Sequence, residues 1–288
     1  MISIVIPGYN SAKHLRQCLE AIYRQSYKDF EVIFIDNGST DNTGSLVKSY
    51  PGINLIKNEA NKGFCAALNQ GIKRSRGWLI LSLNSDVILD EHFLEEMKKA
   101  ADGDVAALFC PKILNLDGSI IDSAGLQLSG FYRFFDRGSR EYDIGQYDNK
   151  SNIFGPCAAA AVYKKEMLED IKYNDEYFDE DFFFLGEDFD IAWRARRKNW
   201  KAVFVSSAIC HHMRNSTNFN GKFRQYLSFR NRYFLLIKNL DFSIRYIVVF
   251  ILYDMPRLIY MFFTNKYTLK ALYEILKYTP GMLRKRSS

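Results

Sequence analysis

The stretch WLILSLNSDVILDEHF, residues Trp78 to Phe93, begins with an apolar run long enough to cross a protein core and stops abruptly on Asn84, Ser85 and Asp86. A second run behaves alike: FEVIFIDNGSTDNT, from Phe30, stops on Asp36. One aspartate after a strand is ordinary turn or cap chemistry. Two in matching positions ask for a shared cause. Outward from these runs, short apolar segments alternate with helical periodicity: ISIVI, a helix from about Ala12 to Gln25, FEVIFI, a helix near Thr43 to Ser49, INLI, a helix from Phe64 to Arg74, and WLILSL. That order favours right-handed crossovers and a mostly parallel sheet covered on both faces, an α/β fold. Asn10 and Ser11 are placed to cap the first helix and Asp41 the second, because their side-chain oxygens accept unsatisfied N–H groups. In such sheets ligands bind outside the carboxyl ends of the strands, where Pro7 to Asn10, Asp36 and Asn84 to Asp86 all fall. Both aspartates are therefore expected to face one crevice.

Past about residue 115 the character changes. Residues 116–151 are rich in Gly, Asp, Tyr and Arg with little periodicity, and so long a segment reads as a lid or binding loop. Regular structure returns with NIFGPCAAAAVYKKEML, a dense acidic stretch, a helix through EDFDIAWRARRKN, and the strand WKAVFVSSAI ending at His211 and His212. The expected organisation is one α/β domain over residues 1–239, in two halves (1–115 and 116–239), followed by a helical extension over 240–288. In that extension the uninterrupted apolar run, Tyr246 to Tyr253, is short of the roughly 20 residues a bilayer span needs. Asp254, Pro256 and Arg257 interrupt it, which favours a helix lying in the membrane interface, with packing or a homodimer contact as the plainer alternative.

Composition sets limits. With 48% hydrophobic and 25% charged residues in 288, the chain has the makeup of an ordinary globular protein. The net charge of +6 is mild, and nucleic-acid binding calls for a stronger basic surface. Arg284 to Arg286 concentrate charge in a tail that suits an anionic surface. Five cysteines, odd in number and without metal-ligand spacing, read as reduced core thiols of the cytoplasm. The chain enters its first strand directly at Met1, without the pattern of a signal peptide.

Three acidic positions carry the chemistry. Asp36 and Asp86 follow strands, and FDEDFFFLGEDFDIAWR leads into a helix. Buried carboxylates need a metal, basic groups or hydrogen bonds, and clustering at a crevice argues for a cation such as Mg2+ or Mn2+, with substrate phosphates completing its shell. His211 at a strand end adds a nitrogen ligand that manganese tolerates.

These residues resemble the inverting nucleotide-sugar glycosyltransferases of family 2, which have the GT-A (Rossmann-like) fold. VIPGYN resembles the family's first strand and nucleotide loop, IDNGSTDNT its second, NKGFCAALNQGI its third, LNSD its metal-binding Asp-x-Asp, GEDFDIAWRARRKNW its catalytic-base helix and CHHMRNST its strand-end histidine segment. The likeness covers roughly residues 2–239, and DSAGLQLSGFYRFFDRGSREYDIGQYD with FGPCAAAAVYKKEML is similar to a rhamnosyltransferase-like branch. It implies a donor site of Pro7, Tyr9, Asn10, Asp36, Asn61, Lys62, Asn84, Ser85 and Asp86. It implies Asp86 and His211 at the metal and Asp188 as base, with Glu187 beside it. The first acid of Asp-x-Asp is Asn84 here, so Asp86 becomes the main metal residue. The implied donor is a dTDP- or UDP-sugar, with dTDP-rhamnose the first guess. The implied acceptor is a glycan or a polyprenyl-linked chain at the inner face of the cell membrane. No G-x-G-x-x-G follows any strand and no P-loop is present, which argues against a dinucleotide oxidoreductase. A catalytically inert module of the same fold is the remaining alternative, and it would be expected to have lost Asp86, Asp188 or His211.

Overall fold

The computed structural model describes residues 1–103, 105–214, 220–241 and 243–286. In chain order the elements are β1 (Ile2–Gly8), α1 (Ala12–Tyr23), β2 (Phe30–Asp36), α2 (Thr43–Lys48), β3 (Ile53–Lys57), α3 (Phe64–Arg74), β4 (Leu79–Leu83), β5 (Val87–Leu89), α4 (Phe93–Gly103), β6 (Leu108–Leu114), β7 (Ile121–Ser123), β8 (Leu126–Leu128), β9 (Phe134–Asp136), β10 (Ala160–Lys164), α5 (Lys165–Ile171), α6 (Glu187–Arg197), β11 (Ala202–His212), α7 (Gly221–Asn239), α8 (Ile244–Val249), α9 (Met255–Thr264) and α10 (Thr268–Lys285). A 3-10 turn spans Glu180–Phe182, and a π turn, Phe250–Asp254, joins α8 to α9.

The main sheet runs β3-β2-β1-β4-β10-β6-β11-β5, with β7 on β6. Strands β3, β2, β1 and β4 are mutually parallel, as the alternating apolar runs predict. Strand β10 enters antiparallel between β4 and β6, β11 is parallel to β6, and β5 pairs antiparallel with β11. Side-chain alternation divides β1 between two cores. Ile2, Ile4 and Ile6 pack beneath α1 and α4, while Val5 packs beneath α3 on the layer shared with α5 and α6. Both faces are covered, so the strands can be apolar throughout. Helix α1 buries Leu15, Cys18, Leu19 and Ile22, the i, i+3, i+4, i+7 stripe of an amphipathic helix.

Helix α6 is seated by close packing. A Cβ on Gly155 would stand 2.3 Å from the Cβ of Ala192, so only glycine lets the chain before β10 lie against α6. The alanines Ala158 to Ala161 are buried in the core. The long segment after β6 is more ordered than its sequence promises, holding β7 and the β8–β9 hairpin. Lys112 on β6 pins it through Asp143 (2.9 Å) and Asp148 (2.6 Å).

The extension departs from expectation in two ways. Helix runs on through Asp254, Pro256 and Arg257, giving one 21-residue stretch, Ile244–Thr264, long and apolar enough to cross a membrane by length and composition. The interruptions are absorbed inward: Asp254 is fully buried against Arg232 of α7 at 2.6 Å. The basic tail is not free either. Lys285 bonds Asp179 (2.5 Å) and Asp181 (2.7 Å), and Arg286 bonds Asp241 (2.5 Å), so of the three tail cations only Arg284 faces solvent without an ion pair among the described residues.

Candidate active site

Three strand ends meet at one edge of the sheet. Gly8 is in register with Asp36, and the loops beyond them are tied together by polar side chains. Asn10, held at φ 51°, accepts Thr40 N–H at 2.8 Å and gives its own N–H to Ser39 Oγ at 3.0 Å. Asp41 accepts Thr43 N–H at 3.0 Å and Ala12 N–H at 3.1 Å, so it caps α1 as well as α2. Ser11 makes no side-chain cap to its own helix; its Oγ accepts Tyr9 N–H at 3.1 Å and accepts a bond from Ser85 Oγ at 2.9 Å. That last bond joins the first loop to the turn after β4.

Asp36 is buried and accepts Ser39 N–H at 2.9 Å. Asn61 folds back on its neighbours, accepting Asn37 Nδ2 at 3.0 Å and Gly63 N–H at 2.9 Å, while Lys62 N–H reaches Asn37 Oδ1 at 3.1 Å. These amides shape the third loop. Pro7 lies in β1 and Tyr9, 37% exposed, stands at the rim. Asn84 is held by its backbone, N–H to Ala159 O at 2.8 Å, in the turn that presents buried Asp86.

The histidine beside Asp86 is His212, not His211. His212 Nε2 is 3.4 Å from Asp86 Oδ1, and its Nδ1 is 2.8 Å from Asp122 Oδ2. His211 points the other way, to Asn115 O (3.0 Å) and Asp90 Oδ1 (3.1 Å). Neighbouring residues of a strand face opposite sides, so only one of the two histidines can lie beside Asp86. The rest of the strand-end segment, residues 215–217, lies outside the described residues.

From His212 a line of charges leads to α6. Asp122 pairs with Arg214 Nε, and Arg214 Nη2 lies 3.5 Å from Asp136 Oδ2. Asp136 is held above the usual carboxylate range, chiefly by burial. Asp188, partly exposed at the head of α6, is raised to about 7 by burial and then by the charge of Asp136. Glu187 is raised to about 8 by burial and then by Asp188, and its Oε2 is buried without a hydrogen bond. Burial works to lower the His212 imidazole, yet hydrogen bonds and charge from Asp122 and Asp86 prevail and raise it to about 9.

His212, Asp122, Arg214 and Asp136 were not singled out by sequence. Asp122 and Asp136 lie in the low-periodicity segment, with no local motif to separate them from its other acids. The acidic stretch before α6 divides differently from expectation. Asp179 and Asp190 face basic groups, not the crevice: Lys238 lies 2.8 and 2.9 Å from them, and Arg194 2.9 Å from Asp190. Lys238 and Arg194 outweigh burial and hold Asp190 well below the usual carboxylate range.

The donor set suits a divalent cation. Asp86 supplies a carboxylate oxygen, and Asp122 fixes the imidazole so that Nε2 turns toward it, the carboxylate–histidine arrangement that orients metal ligands. No group of three or more His, Cys, Asp or Glu with metal-holding geometry occurs among the described residues. Two protein donors would leave the remaining positions to substrate phosphates and water, as hard cations at phosphate sites commonly have them.

Comparison with known proteins identifies the family. Residues 3–172, more than half of the chain, match the family described as Glycosyl transferase family 2. Glycosyltransferase GlyG of Streptococcus pneumoniae serotype 4 is 35% identical over 101 residues, 34% of this chain and 34% of GlyG. The poly-beta-1,6-N-acetyl-D-glucosamine synthase of Staphylococcus epidermidis is 23% identical over 221 residues, 73% of this chain and 49% of the synthase. The chain thus spans half or less of the length of these curated relatives. Among solved structures, S. aureus TarS 1-349 in complex with UDP-GlcNAc superimposes with TM-score 0.59 at 20% identity, covering 92% of this chain and 73% of that one. The mannosyltransferase PcManGT from Pyrobaculum calidifontis, in complex with GDP-Man and Mn2+, gives 0.60 at 16%, covering 99% and 72%. At these identities the likeness establishes the fold.

Proposed function

Because this chain belongs to glycosyl transferase family 2, we propose that it transfers a sugar with inversion from a nucleoside diphosphate donor to a glycan or lipid-linked acceptor in polysaccharide synthesis. One observation carries the reading: Asp86 meets His212, His212 meets Asp122, and Arg214 joins Asp122 to Asp136, whose charge in turn acts on Asp188, so a carboxylate–histidine pair and a carboxylate of raised basicity belong to one run of charges. The nucleoside lies over Pro7, Tyr9, Asn10, Asp36, Asn61 and Lys62, and the turn Asn84-Ser85-Asp86 faces its diphosphate. Asp86 would hold Mg2+ or Mn2+, and His212 would join it on giving up the proton that Asp86 and Asp122 favour in the ion's absence, whereas His211 faces away from Asp86. When bound, the ion neutralises charge on the departing diphosphate. Asp188 takes the proton of the acceptor hydroxyl, and its elevated basicity suits that work near neutral pH. With one base and no second nucleophile assigned, attack is a single displacement.

The likeness to rhamnosyltransferases makes dTDP-rhamnose the first donor to try. TarS and PcManGT bind UDP-GlcNAc and GDP-Man, so those belong in the same panel. Release of nucleoside diphosphate is followed for each, with and without Mn2+. Asp86→Asn is expected to weaken donor binding and turnover together, whereas Asp188→Asn is expected to keep donor binding and lose about 10²-fold or more in transfer. Turnover unaffected by EDTA refutes the metal assignment, and near-wild-type transfer by Asp188→Asn refutes the base.

The acceptor is met at a cytoplasmic membrane face. The outer side of Ile244–Thr264 exposes Ile244, Ile247, Val248, Leu252, Ile259 and Phe263, while its buried acid is spent on Arg232. Between residues 255 and 286 seven Lys and Arg stand against one acid, Glu274, and Lys266, Lys270, Lys277 and Arg284 are exposed. An apolar face with a cationic rim fits an anionic bilayer surface.

A further inference from the structure

The backbone that delivers Asp188 is strained. Phe183 (φ 62°), Leu185 (φ 72°) and Gly186 (φ 91°) all lie in the left-handed region immediately before α6, and the first two are bulky L-residues for which that region is unfavourable. Such a conformation persists only where its surroundings over-determine it. Here two adjacent side chains of α7 do so. Asn231, 1% exposed, donates its amide Nδ2 to the carbonyls of Phe182 (3.0 Å), Phe184 (2.8 Å) and Leu185 (2.6 Å). Arg230 Nη2 donates to the carbonyls of Asp181 (3.0 Å) and Phe182 (2.9 Å), and its Nε is 2.9 Å from Asn231 Oδ1. The remaining carbonyl of the turn, Phe183 O, accepts Phe64 N–H at the start of α3 (2.7 Å). Every carbonyl from Asp181 to Leu185 therefore has a donor that is not its own helix.

Helix α10 braces the clamp from outside. Glu274 meets Arg230 Nη1 at 2.8 Å, and Lys285 reaches Asp179 and Asp181 across the same turn. We propose that Arg230 and Asn231 are positioning residues, which hold residues 182–186 in their strained form and so set where the Asp188 carboxylate stands over the acceptor. This rests on the reading of Asp188 as the base. Neither side chain has been placed at the donor, so their loss is expected to act on turnover and not on donor affinity.

The test uses the full chain with Asn231→Ser, which removes the three-way amide, and reads kcat and donor KM separately. The expected result is a fall in kcat of tenfold or more with donor KM within twofold. Adding Leu185→Gly, which takes a left-handed φ without steric cost, is expected to restore kcat at least threefold. Hydrogen exchange of residues 182–187 is expected to quicken in Asn231→Ser, a readout independent of which acid is the base. If Asp188→Asn still transfers sugar but exchange quickens and kcat falls as described, the base assignment fails and the clamp stands. Wild-type kcat in Asn231→Ser, equal changes in kcat and KM, or a further loss with Leu185→Gly overturns the clamp. Should Asn231→Ser fail to fold, Arg230→Lys, which keeps the charge but gives up the fork, is read the same way with the same refuting outcomes.

Discussion

Lys238→Met is the most demanding test of how α6 is held. Lys238 is 2% exposed and lies between Asp179 and Asp190, 2.8 and 2.9 Å from their oxygens. Removing one partner of a buried ion pair costs roughly 3–5 kcal/mol, because the charge left behind has neither water nor a counter-ion. Compensation here is partial. Asp190 keeps Arg194 at 2.9 Å and Asn239 Nδ2 at 2.9 Å, and Asp179 keeps Lys285 at 2.5 Å. The cost should therefore fall at the low end, about 3 kcal/mol. At about 2–4 °C per kcal/mol for a protein of this size class, the melting temperature should drop by roughly 6–12 °C at pH 7.

The pH dependence follows with a definite sign. Asp190 titrates lower in the folded protein than in the unfolded chain, so its contribution is complete above the unfolded value, near 3.9, and is lost as pH falls toward the folded one. The methionine variant lacks the Lys238 share of that depression. The gap between the two melting temperatures should then narrow as the pH is lowered below about 4. Thermal unfolding followed by circular dichroism at pH 7 and pH 3.5 measures both. A variant melting within 2 °C of wild type at pH 7, or a gap that widens in acid, refutes the ion-pair account.

Three further outcomes are expected. Because Asp188 must be ionised to accept a proton and is raised to about 7, kcat should rise with pH through that value and fall about tenfold per unit on its acid side; a rate flat from pH 5.5 to 8 contradicts this. His212→Ala should abolish Mn2+ stimulation of nucleoside diphosphate release while His211→Ala preserves it, and the reverse pattern would return the metal role to His211. Flotation with anionic liposomes should recover the protein reversibly and less at high salt, and Ile247→Asp with Leu252→Asp should prevent it; loss of flotation with no change in a stable dimer separates lipid from a second copy as the occupant.

Local chemistry carried the first half of the molecule. The runs ISIVI, FEVIFI and WLILSL each bury both faces, and a strand of that kind can belong only to a covered sheet, so the order of elements and the placing of Asp36 and Asp86 at its edge followed from the chain alone. The acidic stretch around Asp188 was equally visible, because carboxylates among aromatic residues need a partner. Which partner was not visible. Lys238 lies 48 residues beyond Asp190, and only the packing of α7 on α6 brings the two together, turning a suspected cation site into an internal ion network. Which of His211 and His212 lies beside Asp86 likewise turned on the register of β11 against β5 and β6. Asp122 and Asp136 reach the crevice through the β7 pairing and the β8–β9 hairpin, across contacts remote in sequence. Periodicity and turn chemistry act over a few residues and are written in the order of the side chains, whereas charge compensation depends on distance in space, which the closed fold alone supplies.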